Sequence, residues 1–267
     1  MAPLSGSPSF RAVVTRLRTA GCVFAEDEAR LLVSAAPTPA ALDTMVGCRA
    51  DGLPLEHVLG WAEFCGRRIA VDPGVFVPRR RTEFLVRQAI GLAPPDLVAV
   101  DLCCGSGALG TALAVGHTGR VELHAADIDP AAVRCARRNI GPVGGQVHEG
   151  DLYAPLPAAL RGRVDVLLAN VPYVPTEELG LLPPEARIHE ARVALDGGAD
   201  GLDVLRRVTA GAYRWLAPGG HLLFETSERQ APLAVETVVR AGLTPRVASS
   251  EELYATVVIA TRPADGC

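Results

Sequence analysis

The chain has 267 residues, 49% of them hydrophobic, with a formal net charge of −4; that length admits one large domain or two, with a core large enough to fold without disulfides. All 26 basic residues are arginine, which excludes a lysine on a nucleotide phosphate and a lysine Schiff base. The acidic balance withholds the broad positive field that favours nucleic acid, and seven cysteines with no Cys-x-x-Cys pair fit reduced thiols rather than a zinc site or a disulfide framework.

The N-terminus shows no basic stretch followed by an apolar core and a small-residue cleavage site, and no apolar run approaches membrane-spanning length. A soluble, cytoplasmic protein is therefore expected. From Phe10 to about Leu59 the pattern is helical. Phe10, Val13, Val14 and Leu17 recur at spacings of three and four, and Ala29, Leu31, Leu32 and Val33 form a second apolar cluster. A third helix is predicted from Ala40 to Arg49, after the break at Pro37 and Pro39, and a short one after Pro54. Trp61–Ile69 and Val75–Pro78 are short and β-prone, and Asp72-Pro73-Gly74 between them predicts the turn of a hairpin.

From Thr82 the order becomes helix, strand Leu97–Leu102, helix, strand Val121–Ala126, helix, a strand at Val147, and strand Val164–Ala169 followed by a Pro-rich loop. A helix over Leu202–Leu216, a strand over His221–Phe224, a further helix and a last pair of strands complete the chain. Strands and helices alternating at this spacing predict an α/β fold with a doubly wound, mostly parallel sheet.

The first strand of this series leads into Asp101-Leu-Cys-Cys-Gly105-Ser-Gly107-Ala-Leu-Gly110. Gly105 and Gly107 allow a ligand to approach the backbone and open the next helix. The same spacing matches the dinucleotide fingerprint, but acidic residues redirect it. Asp101, just before the loop, would repel a pyrophosphate and suits the ammonium of a methionine group, directly or through water. Asp127, at the next strand end, suits ribose hydroxyls, and Asp151, after the third strand, can accept an adenine amino group. A nicotinamide cofactor would use Asp127 and leave Asp101 unexplained. Three acids at successive strand ends point to S-adenosylmethionine as donor, with S-adenosylhomocysteine as product. Asp129, before Pro130, reads as a helix cap.

Strand Val164–Ala169 ends in Asn170-Val171-Pro172-Tyr173. An amide or aromatic amino nitrogen is a poor nucleophile because its lone pair is delocalised. Two acceptors holding its N–H bonds would polarise it and aim it at a methyl group. The Asn170 side-chain oxygen and the carbonyl of Val171 are those acceptors. Pro172 restricts residue 171 to extended geometry, and Tyr173 offers a flat face for a planar amide or base. Positioning of this kind lowers a barrier by about 7–11 kcal/mol without a nucleophilic side chain. The six histidines show no ligand spacing, and no metal is expected.

Together these residues resemble the HemK/PrmC family of protein-glutamine N5-methyltransferases. The resemblance covers nearly the whole chain. It rests on Pro54-Leu-Glu-His-Val-Leu-Gly60, on Phe76-Val-Pro-Arg79 with Thr82-Glu83, on the Asp101 loop, on Asn170-x-Pro172-Tyr173, and on Glu190-Ala-Arg192 through Gly197-Gly198-Ala-Asp-Gly201-Leu. It implies a small helical N-terminal domain for substrate recognition (residues 1–60), a β-hairpin linker (61–81), and a Rossmann-type class I methyltransferase domain with a mostly parallel seven-stranded sheet (82–267). It implies methylation of a glutamine side-chain amide, in its best-known members that of a Gly-Gly-Gln motif in class-1 peptide chain release factors.

Carried over residue by residue, Asn170 would bind the amide, with Val171 and Pro172 shaping the loop and Tyr173 beside it. Asp127 would hold the ribose, Asp151 would lie at the adenine, and Gly105 and Gly107 would line the donor, with Asp101, Cys103, Ile128, Leu152 and Asn170 in the same wall. Glu190 and Arg192 read as salt-bridged loop anchors. The chain departs from the family at Val171, where a second Pro is usual, and in the linker, which usually reads Pro-Arg-Pro, an acid or similar residue, then Thr-Glu, whereas here Arg79-Arg80-Arg81 precede Thr82-Glu83. It departs again at Glu225-Thr-Ser-Glu228. The extra arginines read as a solvated loop near the domain junction.

Two other enzymatic readings use the same loop: amino methylation of a flipped nucleic-acid base, which calls for a basic groove, and methylation of a small-molecule amine. A donor-binding protein without catalysis is a third reading, and the intact Asn170, Pro172 and Tyr173 argue against it.

Overall fold

A computed structural model describes residues 10–264. Four helices come first: α1 (Phe10–Thr19), α2 (Ala25–Ala35), α3 (Pro39–Ala50) and α4 (Leu55–Leu59). Their apolar stripes meet in a core of Val13, Leu17, Ala29, Leu32, Leu42 and Val46. Pro39 opens α3, and the Thr38 hydroxyl caps it by accepting the Ala41 N–H at 3.1 Å. A buried ion pair joins α2 to α3: Arg49 donates to both carboxylate oxygens of Glu28, at 2.6 and 3.2 Å.

A hairpin follows, β1 (Trp61–Phe64) and β2 (Arg67–Ala70), and here the sequence expectation is corrected. The turn lies at Cys65-Gly66, inside the run expected to be one strand. Phe64 pairs with Arg67, and both loop residues have positive φ, 50° and 68°. Two such residues match the right-handed twist of paired strands. Asp72-Pro73-Gly74 is also a turn, closed by Val75 N–H on the Asp72 carbonyl at 3.1 Å. It delivers Val75–Pro78 to a different neighbour: the Gly74 carbonyl accepts the Ala191 N–H at 3.2 Å.

The remaining elements, in chain order, are α5 (Glu83–Leu92), β3 (Asp96–Leu102), α6 (Ala108–Gly116), β4 (Arg120–Asp127), α7 (Pro130–Ile140), β5 (Gln146–Glu149) and β6 (Val164–Ala169). After them come α8 (Pro184–His189), α9 (Asp203–Trp215), β7 (Leu216–Thr226), α10 (Ala231–Arg240), β8 (Thr244–Ser250) and β9 (Ala255–Thr261). The seven strands from β3 onward form one sheet, ordered β5-β4-β3-β6-β7-β9-β8. Neighbours are parallel up to β7, and β9 runs antiparallel to both of its partners. This is the predicted doubly wound sheet.

Alternation along the strands sorts side chains onto two faces. Leu97, Ala99, Val166 and Leu168 pack with α5 and α6, while Val100, Leu102, Leu167 and Phe224 pack with α9 and α10. The chain leaves β3 towards β4 on one side and returns as β6 on the other. A crevice therefore opens at the carboxyl ends of β3 and β6, the point where doubly wound sheets take ligands. The Pro-rich segment after β6 forms part of the crevice wall, through Pro172, Val174, Leu182 and Pro183 among others, and is less regular than the sheet: a 3₁₀ turn over Thr176–Leu181, then α8.

Candidate active site

A cavity of about 450 Å³ occupies this crevice, within the range of roughly 300–1,000 Å³ usual for small-molecule sites. It runs from the turn after β3 to Pro54 and Glu56 of the helical unit, and Asn170 to Val174 form part of its wall.

The turn after β3 is built on left-handed backbone: φ is 53° at Cys103, 55° at Gly105 and 76° at Gly107. The glycines serve different ends. A Cβ on Gly105 would meet nothing within 4 Å, so the ligand space comes right up to this backbone. A Cβ on Gly107 would press on Ile140 of α7 at 2.8 Å. Gly107 is therefore a packing glycine and does not line the cavity. Cys103 lines it, but burial, with Asp127 and Asp101 nearby, drives its thiol far above the ordinary range. It is a wall, not a nucleophile.

Of the three acids, two line the cavity. Asp127 accepts the Gly105 N–H at 2.8 Å and the Asp129 N–H at 2.9 Å, so it shapes the turn while presenting its edge beside Ile128. Asp151 lines the cavity next to Leu152 and is ion-paired with Arg207 of α9. Asp101 departs from expectation. On β3 it alternates with Leu102 and so faces α6, where it accepts the Gly110 N–H at 2.9 Å. It is 1% exposed, its second oxygen has no partner, and burial raises its pKa to about 7. It lies beneath the turn, outside the cavity wall. Asp129 caps α7, accepting the Ala131 N–H at 2.8 Å, as predicted.

On the far wall stands Asn170-Val171-Pro172-Tyr173. Asn170 Oδ1 is buried and has no hydrogen-bond partner. Val171 is 2% exposed. A buried acceptor left free in this way costs about 1–3 kcal/mol unless a ligand satisfies it.

The loop is held from behind by Gly197–Gly201. Val174 N–H donates to the Leu195 carbonyl at 3.1 Å, Gly197 N–H to the Val174 carbonyl at 2.8 Å, and Thr176 N–H to the Gly198 carbonyl at 2.9 Å. Tyr173 presents its ring edge to a buried carboxylate: its hydroxyl donates to Glu225 at 3.2 Å and accepts from Arg81. Burial and the charge of Glu225 push the phenol up to about 12, so it stays protonated.

The arginine run is exposed at Arg80 and Arg81, in keeping with the solvated loop read from the sequence, but two of its members are also ion-paired. Arg79 donates to both oxygens of Glu190, at 2.7 and 2.8 Å, and stacks on Phe76 at 4.8 Å. Arg81 donates to Glu225 at 2.8 Å. Glu190 and Arg192 are loop anchors as predicted, Arg192 pairing with Asp196 at 3.0 Å.

Four further residues gave no usable local signal in the sequence. Glu225 was visible only as a departure from the family's usual form. Gln230, at the N-cap of α10, pins Tyr173, and Arg207 meets Asp151 from α9. Asn139 ties the hairpin to the glycine turn, donating to the carbonyls of Ala70 at 2.9 Å and Ser106 at 2.8 Å. His57 takes a packing role, its Nε2 lying 2.9 Å from the Val75 carbonyl. Among the described residues, no cluster of His, Cys, Asp or Glu is arranged to hold a metal ion, and no helix is long and apolar enough to cross a membrane.

Residues 67–200 match the family model described as "Methyltransferase small domain". The chain is 39% identical to a release factor glutamine methyltransferase of Mycolicibacterium smegmatis, an alignment covering 81% of this chain and 78% of the relative. It is also 36% identical to a 4-amino-L-phenylalanine/4-methylamino-L-phenylalanine methyltransferase of Streptomyces pristinaespiralis, covering 73% and 68%. Among solved structures, a methyltransferase from Pyrococcus furiosus is similar in fold, with a TM-score of 0.56 at 16% identity over 74% of this chain and 90% of that one.

Proposed function

The chain belongs to the HemK/PrmC family of release factor glutamine methyltransferases, and from that premise we propose that it methylates the side-chain amide N5 of a protein glutamine, in the Gly-Gly-Gln motif of a class-1 peptide chain release factor. The methyl donor is S-adenosylmethionine. The observation that carries this reading is the buried oxygen of Asn170, which has no partner within the protein although the residue belongs to the cavity wall: such an acceptor calls for an N–H donor.

The residues present suit the donor. The open space over Gly105 admits a ligand against the backbone, and Asp127 keeps lone pairs for ribose hydroxyls beside the two it uses on backbone N–H groups. Asp151 and Leu152 would hold the adenine, and Cys103 and Ile128 would close the wall. When bound, S-adenosylmethionine supplies a methyl carbon on a sulfonium and leaves as S-adenosylhomocysteine.

The chain's own contribution is positioning. Asn170 Oδ1 and the Val171 carbonyl accept the two N–H bonds of the glutamine amide, which localises its lone pair and aims it. Pro172 keeps residue 171 extended, and a backbone carbonyl survives the exchange of the family's usual Pro for Val171. Tyr173 covers the flat side of the amide and keeps water off the nitrogen. Residues 1–60 recognise the acceptor protein, 61–81 link, and 82–267 catalyse. The setting is the cytoplasm, where release factors work, and nucleic acid is not the substrate.

The arylamine-methylating relative supports a second reading, a small-molecule amine as acceptor. One experiment separates the two. The enzyme is given labelled donor with a release factor carrying Gly-Gly-Gln, with its Gln→Ala variant, or with 4-aminophenylalanine, and mass spectrometry locates the methyl group. Label on the intact release factor alone is expected. Label on the amine alone would replace the protein acceptor, and label on none would leave only donor binding to test.

A further inference from the structure

Resting on that reading, we propose that Arg81 is a positioning residue for the acceptor and acts through the Tyr173 hydroxyl. An acid at this position would face the buried Glu225, which is 4% exposed, and repel it. The guanidinium instead donates Nε–H to Glu225 Oε1 at 2.8 Å and a second N–H to the Tyr173 oxygen. Glu225 Oε2 accepts from the Thr82 hydroxyl at 2.7 Å. A planar fork can serve two acceptors at once, which an ammonium cannot do with the same geometry.

The consequence falls on Tyr173. Its phenol oxygen accepts from Arg81 and donates to Glu225, while its backbone carbonyl accepts from Gln230 at 2.9 Å. Both ends of the residue are fixed, so the ring cannot rotate away from the cavity that it lines. Arg79, two residues earlier, is spent on Glu190, and among the described residues Arg80 forms no ion pair. The effect on Tyr173 therefore belongs to Arg81 within this run.

The test is a double-mutant cycle with Arg81→Met and Tyr173→Phe, read as the KM for the release factor and as the calorimetric affinity for S-adenosylhomocysteine. Each single variant is expected to raise the acceptor KM about tenfold, the size of one lost charge-assisted hydrogen bond. The affinity for S-adenosylhomocysteine should stay within about twofold. The double variant should be no worse than Tyr173→Phe alone. Arg81→Lys, which keeps the charge without the fork, should recover only part of the loss and serves as the variant if Arg81→Met does not fold. Additive losses in the double variant would overturn the proposal. So would weaker S-adenosylhomocysteine binding with an unchanged acceptor KM, which would place Arg81 on the donor. A wild type that methylates no release factor would instead refute the functional reading beneath it.

Discussion

Gln230 donates its side-chain amide to the carbonyl of Tyr173 at 2.9 Å and to that of Asp200 at 3.1 Å, while its own oxygen accepts from the Ser227 hydroxyl at 2.7 Å. One buried residue just before α10 thereby joins the Asn170–Tyr173 loop to the glycine-rich loop behind it. Gly201 stands at the same junction, with φ at +79° and no room for a Cβ between itself and the Tyr173 carbonyl.

Gly201→Ala should therefore displace the Asn170–Tyr173 loop. We expect a loss of stability of about 1–3 kcal/mol, the sum of left-handed strain and a backbone clash, and methylation reduced at least about tenfold. Gly219 has φ at +80° but nothing within 4 Å. Gly219→Ala should show the strain alone, with activity unchanged. Thermal melts and initial rates on the two variants make the comparison, and equal rates would show that the loop tolerates the shift.

Asn170→Ala should separate activity from stability. Its oxygen has no partner in the free protein, so its removal forfeits no internal hydrogen bond and the melting temperature should hold. The rate should fall by about 10²–10³, the usual effect of deleting one preorganised polar partner of a reacting group. The affinity for S-adenosylhomocysteine measured by calorimetry should persist. A variant that melts early and binds poorly would place Asn170 in the scaffold instead.

Asp101 should make stability depend on pH. Its pKa rises from 3.8 to about 7 on folding, chiefly through burial. Between those values the native state holds a proton that the unfolded chain releases, so stability falls as pH rises through that window and levels off above it. Asp101→Asn, which keeps an oxygen for the Gly110 N–H, removes the dependence. By denaturant unfolding the variant should match the wild type near pH 4 and exceed it at pH 8, by on the order of a few kcal/mol. A gap that does not widen with pH would show Asp101 to be ionised throughout.

Arg49 should matter more than any exposed arginine. It is 8% exposed and neutralises Glu28, also 8% exposed, while reaching Glu185 of α8 at 2.7 Å. Arg49→Met strands a buried carboxylate, which costs about 3–5 kcal/mol. Changing Glu28→Leu in addition should restore most of it. Arg16, whose pair with Asp43 is exposed, should cost about 0–1 kcal/mol when replaced by Ala. Urea unfolding decides, and similar losses for the two arginines would remove the special place of Arg49.

Much of this was legible in the residues alone. The β6 strand from Val164 to Ala169 is where period and composition put it, and the helical unit follows its three-four spacing. The motif Asn170-x-Pro172-Tyr173 stood out in the residues because its parts are local: one side-chain amide, one carbonyl, one ring. Errors arose where two local signals competed. Asp72-Pro73-Gly74 is the stronger turn motif, yet the hairpin closes at Cys65-Gly66, since strand register rather than turn strength selects the partner.

What the sequence by itself determined is the order of elements, the glycine turn and the place of the Asn170–Tyr173 loop after β6, because backbone preference and hydrophobic period act over a few residues. Which way Asp101 faces, which glycine touches ligand space, and what the arginine run does were decided by tertiary structure. Arg79 meets Glu190 across 111 positions and Arg81 meets Glu225 across 144. No short-range preference encodes such pairs. They exist because the sheet closes in one order and brings the linker against β7, where a buried carboxylate must find a cation or remain uncharged.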